Sequence, residues 1–240
     1  MLTKEQLFLI QNKFQTRKAN VLREYVQHLF LSSLYRVNGS EKIFFKGGTA
    51  YRIAYRSPRF SEDLDFSAGK ITIKEIEKIM MSVLEDMSQG GLVCEIEESK
   101  KTTGGYLAEL LATFQEEKVP IHIQISLRQK GEKEYDIFEI MNEYIPTYSA
   151  LLLPKNAMIN EKIQAALTRS KPRDFYDIYF LLRNGSLTSV QKDQLAQVRN
   201  VLTKKKIKFA DELAHFLPRN MKRVADSFPQ PLLSELSKFF

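Results

Sequence analysis

Between residues 43 and 67 the chain has little conformational choice. Ile43-Phe44-Phe45 is an apolar run suited to a short strand, and Gly47-Gly48 turns the backbone sharply after it. Residues 50–56 fit a helix of about two turns, with Thr49 as its expected cap. Ser57-Pro58 stops that helix, and residues 63–67 alternate as a second strand. Strand side chains alternate faces, so Asp63 and Asp65 project to one side and Leu64 and Phe66 to the other. Two neighbouring carboxylates repel unless a cation lies between them, and magnesium favours such oxygen ligands while bridging substrate phosphates. Gly47 and Gly48 let backbone N–H groups approach phosphate oxygens, and Thr49 adds a hydroxyl. The competing interpretation is a plain turn followed by surface acids.

The rest of the sequence gives this unit its surroundings. Residues 4–35 carry helical spacing through Leu7, Ile10, Phe14, Val21, Tyr25 and Leu29, and Asn38-Gly39-Ser40 ends it. A helix over 73–88 closes at Gly90-Gly91. Extended segments follow at 92–97, 106–114 and 120–127; the last alternates Ile121, Ile123, Ile125 and Leu127 with polar residues. Residues 139–148 read as loop with a short edge strand. Beyond Pro154 the spacing predicts helices at 156–169, 172–184, 188–201, 208–216 and 230–239. The expectation is an α+β chain, α/β-like in its first part. A mixed β-sheet flanked by helices fills residues 1–153, and a helical bundle fills 154–240, with the N-terminal helix as a further element able to pack on the bundle.

Charge divides at the same place. Residues 155–240 hold 16 Lys/Arg against 8 Asp/Glu, whereas residues 1–154 hold 20 against 21. A basic helical region suits a partner carrying phosphates, RNA or DNA, and equally suits a solvated cationic surface. The run Lys204-Lys205-Lys206-Ile207-Lys208 is its densest stretch. One cysteine, Cys94, excludes an internal disulfide and fits a packed small hydrophobe. Met1 to Gln6 lack the basic start and apolar run of a signal peptide, and no stretch approaches the ~20 apolar residues of a bilayer span, so a cytoplasmic location without membrane contact is expected.

A second charged cluster lies downstream. Lys162, Ala166 and Arg169 share one helix face, Ser170-Lys171-Pro172 breaks the chain, and Asp174 and Asp177 stand three apart on the next helix. A helix-pinning salt bridge and a catalytic role are both consistent with that spacing.

Three elements together carry a family resemblance: Lys46-Gly47-Gly48-Thr49-Ala50, then Arg59-Phe60-Ser61-Glu62-Asp63-Leu64-Asp65-Phe66, then Glu161-Lys162-Ile163-Gln164-Ala165 with Arg173-Asp174-Phe175-Tyr176-Asp177-Ile178-Tyr179. The sequence resembles the AbiEii/AbiGii toxin family within the nucleotidyltransferase fold superfamily. The resemblance implies an NTP-dependent, pyrophosphate-releasing enzyme that moves a nucleoside monophosphate onto an acceptor hydroxyl, with tRNA a plausible acceptor. It implies a toxin of a bacterial toxin–antitoxin or phage-defence system with a cognate antitoxin. It further implies Asp63 and Asp65 as ligands of Mg2+ or Mn2+, and Gly47, Gly48, Thr49, Ser61 and Lys162 as nucleotide-binding residues. Lys162 and Asp174 join the two aspartates as catalytic residues, and Asp177 braces its helix.

One departure stands out. Many such enzymes carry a third metal-binding carboxylate on a later strand, and the candidate strand here has Gln124 instead. Either the branch works with two aspartates, or another strand holds the acid, or the chain binds nucleotide or nucleic acid without catalysing. A protein side chain as the nucleotide acceptor is the remaining alternative.

Overall fold

The computed structural model describes residues 1–127, 134–187 and 191–240, which separate into two compact units. The first comprises Met1–Arg56 and Phe60–Pro154; the second comprises Ser57–Arg59 and Lys155–Phe240.

The first unit is built on a mixed sheet of seven strands among the described residues, ordered β3-β4-β5-β2-β1-β7-β6. In chain order it contains α1 (Lys4–Phe14), α2 (Lys18–Leu34), β1 (Ile43–Lys46), α3 (Gly47–Ile53), β2 (Leu64–Ala68) and α4 (Ile73–Gln89). The strands β3 (Val93–Thr102), β4 (Gly105–Phe114), β5 (Glu117–Ser126), β6 (Asp136–Ile140) and β7 (Tyr148–Leu152) follow. At the centre β1 runs antiparallel to β2, while β2 pairs parallel with β5 and β1 parallel with β7. The outer strands β3, β4 and β6 join antiparallel.

The helical pattern expected over 4–35 is two helices. Gln15 takes a left-handed conformation (φ 48°) and caps α1 by donating its backbone N–H to the Asn12 carbonyl. Of residues 139–148, expected as loop with an edge strand, 141–147 are loop; β6 at the sheet edge runs into the start of the segment, and β7, which begins at its last residue, is internal beside β1. Capping boxes start α1 at Thr3 and α4 at Thr72, where Thr72 Oγ1 accepts from the Glu75 N–H and Glu75 accepts from the Thr72 N–H.

One face of β5 is apolar and buried through Val119, Ile121, Ile123 and Ile125; its other face is open and carries Gln124. Helix α2 packs against α4, β5 and β7 and is buried along most of its length. It therefore buries polar groups as well, and each has a partner. Glu24 receives bonds from Arg52 Nε (2.6 Å) and from Tyr144 Oη (2.8 Å). His28 Nδ1 lies 2.8 Å from Tyr148 Oη, and burial pushes that ring down to about 4, so it is neutral near pH 7. Arg52 also stands 3.9 Å from the centre of the Phe60 ring, fixing α3 to the loop before β2. Cys94, on the outermost strand β3, is half-buried, and burial pushes its thiol up to about 11, leaving it inert.

The second unit is helical: α5 (Lys155–Thr168), α6 (Pro172–Arg183), α7 (Lys192–Lys204), α8 (Ala210–Phe216), α9 (Lys222–Ser227) and α10 (Gln230–Leu236). The helix expected at 188–201 is α7, which begins and ends later; residues 188–190 of that expectation lie outside the described residues. Helix α9 has no counterpart in the expected pattern. Helix α6 packs on α5, α8 and α10, with ring contacts running from Phe175 through Phe209 and Phe228 to Tyr176. Among the described residues no helix is long and apolar enough to cross a membrane.

Candidate active site

The sheet brings three polar residues from adjacent strands into a row. Lys46 at the end of β1 is in register with Asp65 on β2, and Asp65 is in register with Gln124 on β5. All three line a cleft of about 160 Å³ whose other polar walls come from Thr102, Gly104 and Ser126. The strand bearing Gln124 is thus the neighbour of the Asp-x-Asp strand, and the place beside Asp65 is held by a neutral amide. Asp63 is not part of this lining. It sits half-buried one position before β2 begins, and Leu64, between the two aspartates, is fully buried.

Gly47 is required by Asp65 itself. Its φ of +81° is left-handed, and a Cβ placed on it would stand 2.4 Å from Asp65 Oδ2 and 2.8 Å from Asp65 Cβ. The hydrogen of the glycine is what lets the carboxylate lie against the backbone at the start of α3. Thr49 is not the cap expected from the sequence. The helix starts three residues before the expected Ala50, at Gly47, whose left-handed φ turns the chain out of β1, and Thr49 is fully buried in its first turn. Its hydroxyl donates to the Asp63 carbonyl at 2.5 Å, so it is spent on the protein and does not face a ligand as a donor. Gly48 is buried in the same turn. Ser61 is half-buried, and its carbonyl accepts from Gln27 Nε2 at 3.1 Å.

The oxygen donors suit a hard divalent cation. Asp65 supplies a carboxylate inside the cleft, Gln124 an amide beside it, and Asp63 a second carboxylate two positions along the chain. Among the described residues no group of three or more His, Cys, Asp or Glu side chains forms. Any cation here would keep several waters or take ligands from substrate.

In the helical unit the charged residues singled out in the sequence form a chain of alternating sign. Arg59 Nε and Nη2 donate to the two Asp177 oxygens at 2.7 and 2.9 Å. Lys162 Nζ lies 2.8 Å from Asp177 Oδ2 and 3.1 Å from Asp174 Oδ1. Arg169 closes the other end, with Nε and Nη2 donating to Asp174 at 2.8 and 2.7 Å. Arg59 is 1% exposed and both carboxylates 0%, so each depends on its partners for solvation. Lys162 is 6% exposed and bridges both acids. Burial pushes the carboxyls of Asp174 and Asp177 up, but Arg169 with Lys162 at the first, and Arg59 with Lys162 at the second, hold both below the usual carboxylate range.

Because folding lowers these two pKa values, the stability they contribute is complete above the unfolded carboxylate value of about 3.9 and is lost as pH falls through the lower folded values. Acid titration followed by far-UV circular dichroism is therefore expected to show loss of helix below about pH 4. Full helix content retained to pH 2 would contradict that linkage.

Three residues with evident structural work were invisible as such in the sequence. Lys46 was marked only as part of a motif, although its register with Asp65 follows once β1 and β2 are paired. Arg59 finds its carboxylate 118 residues away. Gln27, 1% exposed on α2, binds only backbone carbonyls, for which sequence carries no signal.

Comparison with known proteins gives a family and a fold. A model of the AbiEii family, described as a nucleotidyl transferase toxin of a type IV toxin–antitoxin system, matches residues 29–238. MenT4, a nucleotidyltransferase toxin from Mycobacterium tuberculosis H37Rv, is similar over 100% of this chain and 90% of its own, with a TM-score of 0.69 and 16% identity. JHP933 from Helicobacter pylori is similar over 93% of this chain and 94% of its own, with a TM-score of 0.64 and 17% identity. At such identities the likeness is one of fold. No curated protein matches the chain.

Proposed function

The chain belongs to the AbiEii family of nucleotidyltransferase toxins, and from that premise we propose that it transfers a nucleoside monophosphate from an NTP to a hydroxyl of RNA, assisted by Mg2+ or Mn2+ at Asp63 and Asp65. The observation that carries this reading is the row Lys46, Asp65 and Gln124 across three adjacent strands, lining one cleft with Gly47 pressed against the aspartate.

In the transfer, the acceptor oxygen bonds to the α-phosphorus and the bond from that phosphorus to the β-phosphate bridge breaks, releasing pyrophosphate. A divalent cation would supply charge neutralisation on the phosphates and a lowered pKa for the attacking hydroxyl. The protein's own contribution is placement. Asp65 is fixed by the strand ladder, and Gly47 lets its carboxylate lie against the backbone at the start of α3. Lys46 brings a cation to the cleft wall. In the helical unit, Lys162 takes the role of charge partner for phosphate and Asp174 that of its orienting group; their 3.1 Å bridge supports the second assignment.

RNA as acceptor is supported by the basic balance of residues 155–240. Lys205 Nζ donates to Ser170 Oγ at 2.9 Å, which sets the lysine run beside Arg169 and Lys171, so sequence-distant cations share one surface. A cognate antitoxin follows from the same family reading.

The test incubates purified protein with each labelled NTP, Mg2+ and total RNA, alongside an Asp63→Ala/Asp65→Ala double variant. Label in RNA with the wild type alone is the expected result. Label only in a ribonuclease-resistant protein band would replace RNA with a protein acceptor, and no label anywhere would overturn the reading. Gly47→Ala is expected to lose transfer by about a hundredfold or more, since the added methyl must displace the Asp65 carboxylate and the left-handed backbone adds about 1–2 kcal/mol of strain. Transfer within a few fold of wild type would show that Asp65 does not need its present position.

A further inference from the structure

The two candidate metal-binding carboxylates are held by different means. Asp65 lies within β2, paired with Lys46 on one side and Gln124 on the other, so the ladder fixes it. Asp63 precedes the strand, which begins at Leu64. The carbonyls of Ser61, Glu62 and Asp63 therefore lie beyond the end of the strand, and buried backbone acceptors need partners from elsewhere.

Side chains supply them. Gln27 Nε2, on α2, donates to the Ser61 carbonyl at 3.1 Å and to the Glu62 carbonyl at 2.9 Å. Thr49 Oγ1, on α3, donates to the Asp63 carbonyl at 2.5 Å. Three consecutive carbonyls are thus gripped by two buried side chains from two helices, Gln27 being 1% exposed and Thr49 0%. Arg23, one turn before Gln27, adds an ion pair to the Glu62 carboxylate at 3.2 Å. An amide that spends both donor hydrogens on adjacent carbonyls fixes the direction of the chain as well as its position.

We infer that Gln27 and Thr49 are positioning residues that set the distance between the Asp63 and Asp65 carboxylates, and through it the affinity for the divalent cation. This rests on the proposed cation role of the two aspartates. Gln27 lies outside the span matched by the family model, and the sequence marks Thr49 as a helix cap and a nucleotide contact. Partners that orient ligands in this way usually affect metal affinity or activity by about 10–100-fold.

The experiment measures Mn2+ binding to the full chain by electron paramagnetic resonance without nucleotide, and separately the Mn2+ dependence of labelled-nucleotide transfer. Gln27→Glu keeps the shape but turns an acceptor toward the two carbonyls; Thr49→Val removes the donor without changing size; Thr49→Ser keeps it. The first two are expected to raise half-saturating Mn2+ by about 10–100-fold, with transfer at saturating Mn2+ recovering to within a few fold of wild type. Thr49→Ser is expected to behave as wild type. A merely structural role would lower folded protein or transfer at every Mn2+ concentration without moving the half-saturation point. Half-saturation within twofold of wild type in either folded variant overturns the inference; should Gln27→Glu fail to fold, Thr49→Val decides. If wild type binds no Mn2+ and Asp65→Asn leaves transfer unchanged, the cation reading itself has failed and this inference falls with it. Mn2+ binding lost in Asp65→Asn but unaltered in the clamp variants refutes the clamp alone.

Discussion

Asp65→Asn is expected to lower nucleotide transfer by at least about a hundredfold while leaving the fold intact. Asparagine has nearly the shape of aspartate, so it fits the space against Gly47 that no Cβ could share. It also keeps the backbone pairings to Lys46 and Gln124, which do not depend on the side chain. What it removes is, among the described residues, the one carboxylate that lines the cleft. Loss of a single preorganised electrostatic partner of a developing charge typically costs about 10²–10³ in rate. Here the neighbouring strand offers only the neutral Gln124 in compensation. Rates measured at saturating NTP and Mg2+, with circular dichroism to confirm folding, would decide. Retention of more than a tenth of wild-type transfer would remove Asp65 from the chemistry.

The second large effect concerns the helical unit. Asp177→Ala leaves Arg59 and Lys162 buried without the carboxylate that both contact, a change expected to cost about 3–5 kcal/mol. Amide hydrogen exchange reads this locally. The protected amides of α5 and α6 should exchange about a hundredfold faster or more if they open with that unit. The double replacement Arg59→Met/Asp177→Leu removes opposite charges together and should recover much of the loss, because the penalty lies in the stranded charge. Unchanged exchange in Asp177→Ala would mean that the buried pair is energetically idle.

How much of this was legible in the sequence depends on the range of the interaction. The strand, glycine turn, helix and strand between 43 and 67 were readable because each is specified by its own residues, and β5 announced itself by strict alternation. The break between α1 and α2 was not, since apolar spacing continues across it and Gln15 takes a positive φ without glycine as a marker. Strand β7 has no counterpart in the expected pattern beyond its first residue, because its five residues lie between Pro146 and Pro154 and its pairing with β1 is a long-range event. In the site, the strand singled out in the sequence does lie beside β2, with the amide of Gln124 in register with Asp65. The role of Thr49 was misread because a first-turn threonine looks like a cap until the helix start is known. Lys162, Asp174 and Asp177 were recognised as a cluster, but Arg59 was not, its partner being remote in sequence.

The contact between Gly47 and Asp65 also makes position 47 a genetic weak point. Any nucleotide change that alters the amino acid there introduces at least a Cβ, and the carboxylate already occupies that volume. In a population selected for survival of the toxin's expression, substitutions at this codon should accumulate regardless of their chemistry. At Gln124, which faces an open side of the sheet, only particular replacements would be recovered.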